Sequence, residues 1–244
     1  MSKDTIFQTE AAARVSFRFD DSVARVFPDM INRSVPGYAA SLDGIALIAH
    51  QSIRPGGRAY DLGCTLGAAT LAMAQGIGER AANLVGIDLS DAMINRCKAD
   101  QRFDTLAQRV EFHTADITGF DYQPADLVVL NYTLQFLHPE QRAPLLDNLY
   151  QCLNPGGVLV LAEKFHFEAP GIADRLTRLH FDFKRAHHYS DLEIAGKRSA
   201  LENVLITDTR ETHIQRLESV GFEDVVLWHS AINFGAFLAC KPDA

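Results

Sequence analysis

The stretch Tyr60-Asp61-Leu62-Gly63-Cys64-Thr65-Leu66-Gly67, followed by Leu84-Val85-Gly86-Ile87-Asp88, constrains the fold of this chain more than any other feature. It reads as a strand, a glycine turn opening a helix, and a second strand ending in an acid. That order is the nucleotide-binding half of a doubly wound α/β sheet.

The details choose between ligands. The turn lacks the middle glycine of a G-x-G-x-x-G pyrophosphate cradle. Asp61 stands just before the turn, where a carboxylate repels phosphate and attracts a cation. A ligand with a ribose, an amino group and a sulfonium but no phosphate fits, which points to S-adenosylmethionine. In such a sheet the ligand lies outside the carboxyl ends of the strands. Those ends read as Asp61 to Thr65, Asp88 with Leu89, Asp116 with Ile117, and Asn131. Gly63 allows close backbone approach to the amino-acid portion and Asp88 takes the ribose hydroxyls. Asp116 accepts the adenine amino hydrogens, Ile117 offers the ring an apolar face, and Asn131 holds the amino-acid end. Taken alone, Asp116-Ile117 is equally an ordinary strand-end turn, and it is the agreement of four strand ends that favours a ligand.

The pattern along the chain predicts one domain. Residues 1–57 form an N-terminal arm or cap carrying Phe17, Phe19 and Phe27, with a helix at 42–52. Residues 58–165 form a nucleoside-binding core with strands at 58–62, 83–88, 110–114, 125–131 and 157–163 and helices from about 67, from 90 and at 139–152. Asn154-Pro155-Gly156-Gly157 reads as the turn before the fifth strand. Residues 166–204 are a charged helical insertion, and 205–244 add a helix at 212–220 and strands at 225–229 and 234–240. Two terminal strands without an intervening helix predict an antiparallel edge hairpin on an otherwise parallel sheet of seven strands.

Charge and cysteine usage exclude several classes. A net charge of -8 argues against direct nucleic acid binding, which needs a basic surface to displace counterions. The cluster Lys184, Arg185, His187, His188 is the best basic patch, and the solvated face of a helix is the favoured reading of it. Cys64, Cys97, Cys152 and Cys240 form no C-x-x-C pair, so neither zinc nor a redox dithiol is expected. No apolar run has signal-peptide or membrane-spanning length, and a cytoplasmic protein without a membrane or metal is the expectation. No serine or cysteine has a histidine at a recognisable spacing, and the nine histidines read as surface or satisfied core residues.

The insertion is more unusual than the core. Asp182-Phe183-Lys184-Arg185 and Lys197-Arg198-Ser199 put arginines beside a site that otherwise binds a cation, which makes sense if an anion such as a carboxylate lies between them. For Arg198 the residues weigh equally an exposed helical pair with Glu202 at four-residue spacing.

Over nearly its whole length the chain resembles the carboxy-S-adenosylmethionine synthase family. The resemblance rests on Val26-Phe27-Pro28-Asp29-Met30-Ile31, Arg33-Ser34-Val35-Pro36-Gly37-Tyr38, Tyr60 to Cys64, Leu66 to Leu71, Thr133-Leu134-Gln135-Phe136-Leu137, Glu163-Lys164-Phe165, and Lys197-Arg198-Ser199 with Leu201-Glu202-Asn203-Val204. General methyltransferases share the glycine turn and acid but not the arm or the Lys-Arg-Ser run. The resemblance implies a homodimer that makes carboxy-S-adenosylmethionine from S-adenosylmethionine and prephenate, releasing phenylpyruvate. A separate tRNA carboxymethyltransferase then uses the product to build 5-oxyacetyl uridine at the wobble position. It also implies ligand contacts from Tyr38, Gly63, Cys64, Thr65, Asp88, Leu89, Asp116, Ile117 and Asn131, with Arg198 of the neighbouring subunit on the new carboxylate. Thr65 and Leu89 depart from the serine and asparagine usual in the family; Leu89 is left with apolar or backbone contacts. The competing functional readings are a small-molecule methyltransferase and a non-catalytic adenosine-ligand-binding partner.

Overall fold

The computed structural model describes residues 3–8, 17–201 and 204–243. Seven strands form one sheet: β1 (Arg58–Leu62), β2 (Asn83–Asp88), β3 (Arg109–Thr114), β4 (Ala125–Asn131), β5 (Leu153–Lys164), β6 (Glu223–Ala231) and β7 (Phe234–Cys240). Their order is β3-β2-β1-β4-β5-β7-β6, with β1 to β5 parallel and β7 antiparallel to both neighbours. The order reverses at β1 and β4, so their carboxyl ends flank the switch point where such sheets bind ligands. The edge hairpin is present, with β7 inserted between β5 and the edge strand β6.

Parallel strands buried on both faces are apolar along their length. In β4, Leu127 and Val129 join the core facing helices α2 (Tyr38–Ser52) and α3 (Ala68–Ile77), while Val128 and Leu130 join the opposite core with Leu145, Leu146 and Leu149. That opposite core is covered by α6 (Pro139–Cys152) and α9 (Arg210–Val220). Between β2 and β3 lie α4 (Asp91–Lys98) and a single helical turn, α5 (Gln101–Asp104). Ser90 caps α4 by accepting from the Met93 N–H, and Gly221 ends α9 in the left-handed conformation.

Several boundaries differ from expectation: α2 starts at Tyr38 and not at 42, α9 at Arg210 and not at 212, and β6 spans Glu223–Ala231 and not 225–229. The fifth strand starts at Leu153, because Leu153 already pairs with Ala125 and the Asn154-to-Gly157 segment forms an irregularity inside the strand. The arm contains a full helix, α1 (Asp21–Ser34), which starts on an Asp20 cap and runs through Pro28.

Arm and insertion lock together over the carboxyl edge of the sheet. The insertion comprises α7 (Pro170–Ala186) and α8 (Asp191–Leu201). From α1, Arg33 donates to the carbonyls of His187 and His188, each at 2.7 Å, and Tyr189 donates to Asp4 at 2.5 Å. Ser90 also donates to the Phe19 carbonyl, tying the arm to the end of β2.

Candidate functional site

Between the strand ends and this cap lies a cavity of about 320 Å³. Its floor is the turn after β1. Gly63 takes a φ of 71°, and a Cβ there would meet the Thr133 side chain at 2.5 Å, so the position requires glycine both for conformation and for space. The N–H groups of Gly63 and Cys64 both donate to Ile87 O, bending the chain across the end of β2. Thr65 then sits at φ 48°, a left-handed conformation unusual for a β-branched residue. Tyr132, on the neighbouring wall, is also left-handed at φ 64°. Such strain concentrates where a surrounding structure fixes a site.

The acids are held rather than loose. Asp88 accepts from the Thr65 N–H at 2.9 Å through one oxygen and from the Ser90 N–H at 2.8 Å through the other. Burial pushes its carboxyl up, and hydrogen bonds from Ser90, Thr65 and Leu89 oppose that. Each oxygen keeps a lone-pair direction for a further donor. Asp61 is buried and accepts from the Thr70 N–H and hydroxyl through Oδ2, and burial raises it to about 6. It therefore anchors the first turn of α3 as well as facing the cavity, a structural task beyond the cation attraction read from sequence. Asp116 accepts from the Thr118 N–H and hydroxyl through Oδ1. Ile117 is buried in the core beneath, while Leu89 is 74% exposed at the cavity rim. Asn131 closes the set at the end of β4: its Oδ1 is buried without a partner among the described residues, an acceptor suited to an ammonium.

Tyr38, Gly63, Cys64, Thr65, Asp88, Leu89, Asp116, Ile117 and Asn131 all line this one cavity. Arg198 does not. It is exposed in a shallow groove between α7 and α8, with its guanidinium 6.0 Å from the Phe181 ring centre, and Glu202, its alternative partner, lies outside the described residues.

Several residues that support or line the cavity were given no role there by the sequence. Glu163 is fully buried and accepts from the N–H groups of Leu134 and Gln135 at 2.9 and 3.0 Å, fixing the 3-10 turn Leu134–Phe136 against the cavity. Burial pushes it up to about 8 despite those bonds. The arm supplies an apolar wall, with Phe19 edge-on to both Phe17 and Phe136. The expected arginine pair gives way to lysines. Arg185 turns outward to Asp182 and Asp191, whereas Lys184, read as part of a solvated helix face, is buried and lines the cavity. Lys164, Lys197 and His180 line it too. Their positions on three separate elements left no signal in the linear chain.

Among the described residues no cluster of three or more His, Cys, Asp or Glu side chains is arranged to hold a metal, and no helix is long and apolar enough to cross a membrane.

The chain matches known proteins at two levels. Residues 59–157 match the model of a methyltransferase domain. In solved structures, an O-methyltransferase family protein from Burkholderia thailandensis superimposes with a TM-score of 0.64 at 13% identity, covering 98% of this chain and 62% of the other. Human N-acetylserotonin methyltransferase, solved in complex with SAM, gives 0.60 at 18% identity over 97% of this chain and 58% of its own. These likenesses establish the class I methyltransferase fold. A sequence relative is far nearer: the carboxy-S-adenosyl-L-methionine synthase of Escherichia coli K12 is 47% identical over 241 residues, covering 99% of this chain and 98% of that protein.

Proposed function

This chain belongs to the carboxy-S-adenosyl-L-methionine synthase family, and from that premise we propose that it converts S-adenosyl-L-methionine and prephenate to carboxy-S-adenosyl-L-methionine and phenylpyruvate. The observation that carries the proposal is where the cavity wall comes from. The methyltransferase domain match ends at residue 157 and begins at 59, yet α1, Tyr38, Lys164 and the α7–α8 insertion complete the cavity. Those extra walls lie within the stretch shared with the synthase at 47% identity.

The strand ends hold the nucleoside. Asp88 takes the ribose hydroxyls, Asp116 and Ile117 the adenine, and the Gly63-to-Thr65 turn with Asn131 the amino-acid portion, leaving the sulfonium near Tyr38 and Tyr132. In the reaction the carbon–carbon bond to the ring carboxyl of prephenate breaks, its electron pair aromatises the ring, and hydroxide leaves. The hydroxide takes a proton from the sulfonium methyl, forming water, and the methyl carbon bonds to the released carbon dioxide. No side chain is required as the base. The only cavity-facing imidazole, among the described residues, is His180, which burial holds down at about 3 and whose Nε2 lies 2.8 Å from Ser34 O.

The chain acts as a homodimer in which Arg198 reaches the new carboxylate in the neighbouring subunit, in keeping with its outward position in a single chain. It works in the cytoplasm without touching nucleic acid, consistent with its net charge of -8, and passes a small product to a tRNA carboxymethyltransferase that modifies the wobble uridine. Mass spectrometry of the nucleoside that copurifies with the protein tests the proposal. A carboxylated sulfonium supports it, and S-adenosylmethionine alone would leave a small-molecule methyltransferase open.

A further inference from the structure

The cavity has two chemically different ends. Adjacent strands lie about 4.8 Å apart, so the end of β5 is roughly 14 Å across the sheet from the end of β2. Asp88 marks the nucleoside end; Lys164, at the end of β5, marks the other. Beside Lys164 the insertion brings Lys184 and His180 from one face of α7 and Lys197 from α8. Lys197 has its own partners: it donates to Ser34 at 2.8 Å and lies 4.0 Å from Asp4. Lys164 and Lys184 have no hydrogen-bond or ion-pair partner among the described residues, although Lys184 is only 7% exposed and Lys164 is half-buried. The apolar neighbour of Lys164 is Phe234, whose ring centre is 5.9 Å from Lys164 Nζ.

Two unpaired ammonium groups in a partly desolvated pocket are costly unless an anion joins them. Burial, then the charges of Lys197 and Lys164, already push Lys184 down to about 7. We propose that Lys164 and Lys184 form an anion subsite that takes a carboxylate of the second substrate beyond the sulfonium. This rests on the synthase reading above. The chemistry selects which carboxylate. An ammonium contact stabilises carboxylate charge in the ground state and so opposes its departure as neutral carbon dioxide. The lysines therefore hold the pyruvoyl carboxylate, which is retained in phenylpyruvate, and leave the ring carboxylate facing the sulfonium methyl.

The test is equilibrium titration of prephenate and of phenylpyruvate into the parent, Lys164→Met and Lys184→Met, each saturated with S-adenosylhomocysteine, which lacks the methyl group and prevents turnover. Both acids are expected to bind each variant about 10- to 100-fold more weakly, the worth of a lost charge-assisted hydrogen bond, with affinity for S-adenosylhomocysteine unchanged. A parallel loss of S-adenosylhomocysteine affinity would assign the lysines to the amino-acid carboxylate of the nucleoside and overturn the proposal. Acids bound equally by parent and variants would overturn the subsite alone. A parent that binds the nucleoside but neither acid would overturn the synthase reading with it. Lys164 is half-buried at a strand end, so its variant reads the subsite even where the change at Lys184 lowers stability.

Discussion

The carboxylate of Asp88 and the backbone N–H of Thr65 meet at 2.9 Å, and this bond holds Thr65 in its left-handed conformation at φ 48°. The proposed ribose acceptor and the glycine turn are thereby one unit: whatever moves Asp88 releases the turn. Asp88→Asn removes the charge and keeps one acceptor oxygen, enough for either the Thr65 or the Ser90 N–H but not both. It is expected to weaken S-adenosylmethionine binding by about 10- to 100-fold, read by calorimetric titration. An unchanged affinity would remove Asp88 from the nucleoside site.

Gly63→Ala tests the turn from the other side. The added methyl meets Thr133 at 2.5 Å, and Thr133 is itself fixed by its hydrogen bond to Leu62 O at 2.7 Å, so it cannot turn aside freely. With the positive φ of 71°, the substitution is expected to cost about 1–3 kcal/mol of stability and to weaken nucleoside binding. Urea unfolding measures the first and titration the second.

Glu163 gives a pH signature. Its folded value of about 8 lies above the ordinary 4.5, so the fold favours the protonated form. The stability it contributes is complete below pH 4.5 and lost as pH rises through about 8. Unfolding midpoints of the parent should therefore fall relative to those of Glu163→Gln as pH is raised from 5 to 9. A parallel pair of pH profiles would mean that Glu163 is not perturbed.

Arg198→Ala should release the carboxylated ligand while the proposed dimer persists, because the side chain is exposed and makes no packing contact in the core of its own chain. Size-exclusion chromatography with mass spectrometry of the retained nucleoside reads both. Full retention would show that another group holds the new carboxylate.

The core was legible because its signals are local. The strands at Arg58–Leu62, Asn83–Asp88, Ala125–Asn131 and Phe234–Cys240 and the helix at Pro139–Cys152 fall where apolar runs bounded by glycine, proline and acids predict. Leu153 was missed because Asn154-Pro155-Gly156-Gly157 is a turn by composition, whereas pairing with Ala125 begins before it. α1 was hidden by Pro28, which is tolerated because the helix packs Val23, Val26 and Met30 into the arm's own core.

The nucleoside half of the site was likewise readable, since in a doubly wound sheet strand ends converge by topology. Its lysine-lined half was not. Lys164, Lys184 and Lys197 converge only through the docking of α7 and α8 on α1, fixed by Arg33 at the carbonyls of His187 and His188. Lys184 stands next to Arg185, and only the fold separates the buried charge from the solvated one.

The most direct measurement follows one carbon. The protein is incubated with S-adenosylmethionine and prephenate carrying 13C in its ring carboxyl, and the nucleosides and keto acids are read by mass spectrometry. Synthase chemistry places the label in the carboxymethyl group of carboxy-S-adenosylmethionine, with phenylpyruvate released unlabelled in equal amount. S-adenosylmethionine left intact, or an unlabelled carboxymethyl group, would contradict it.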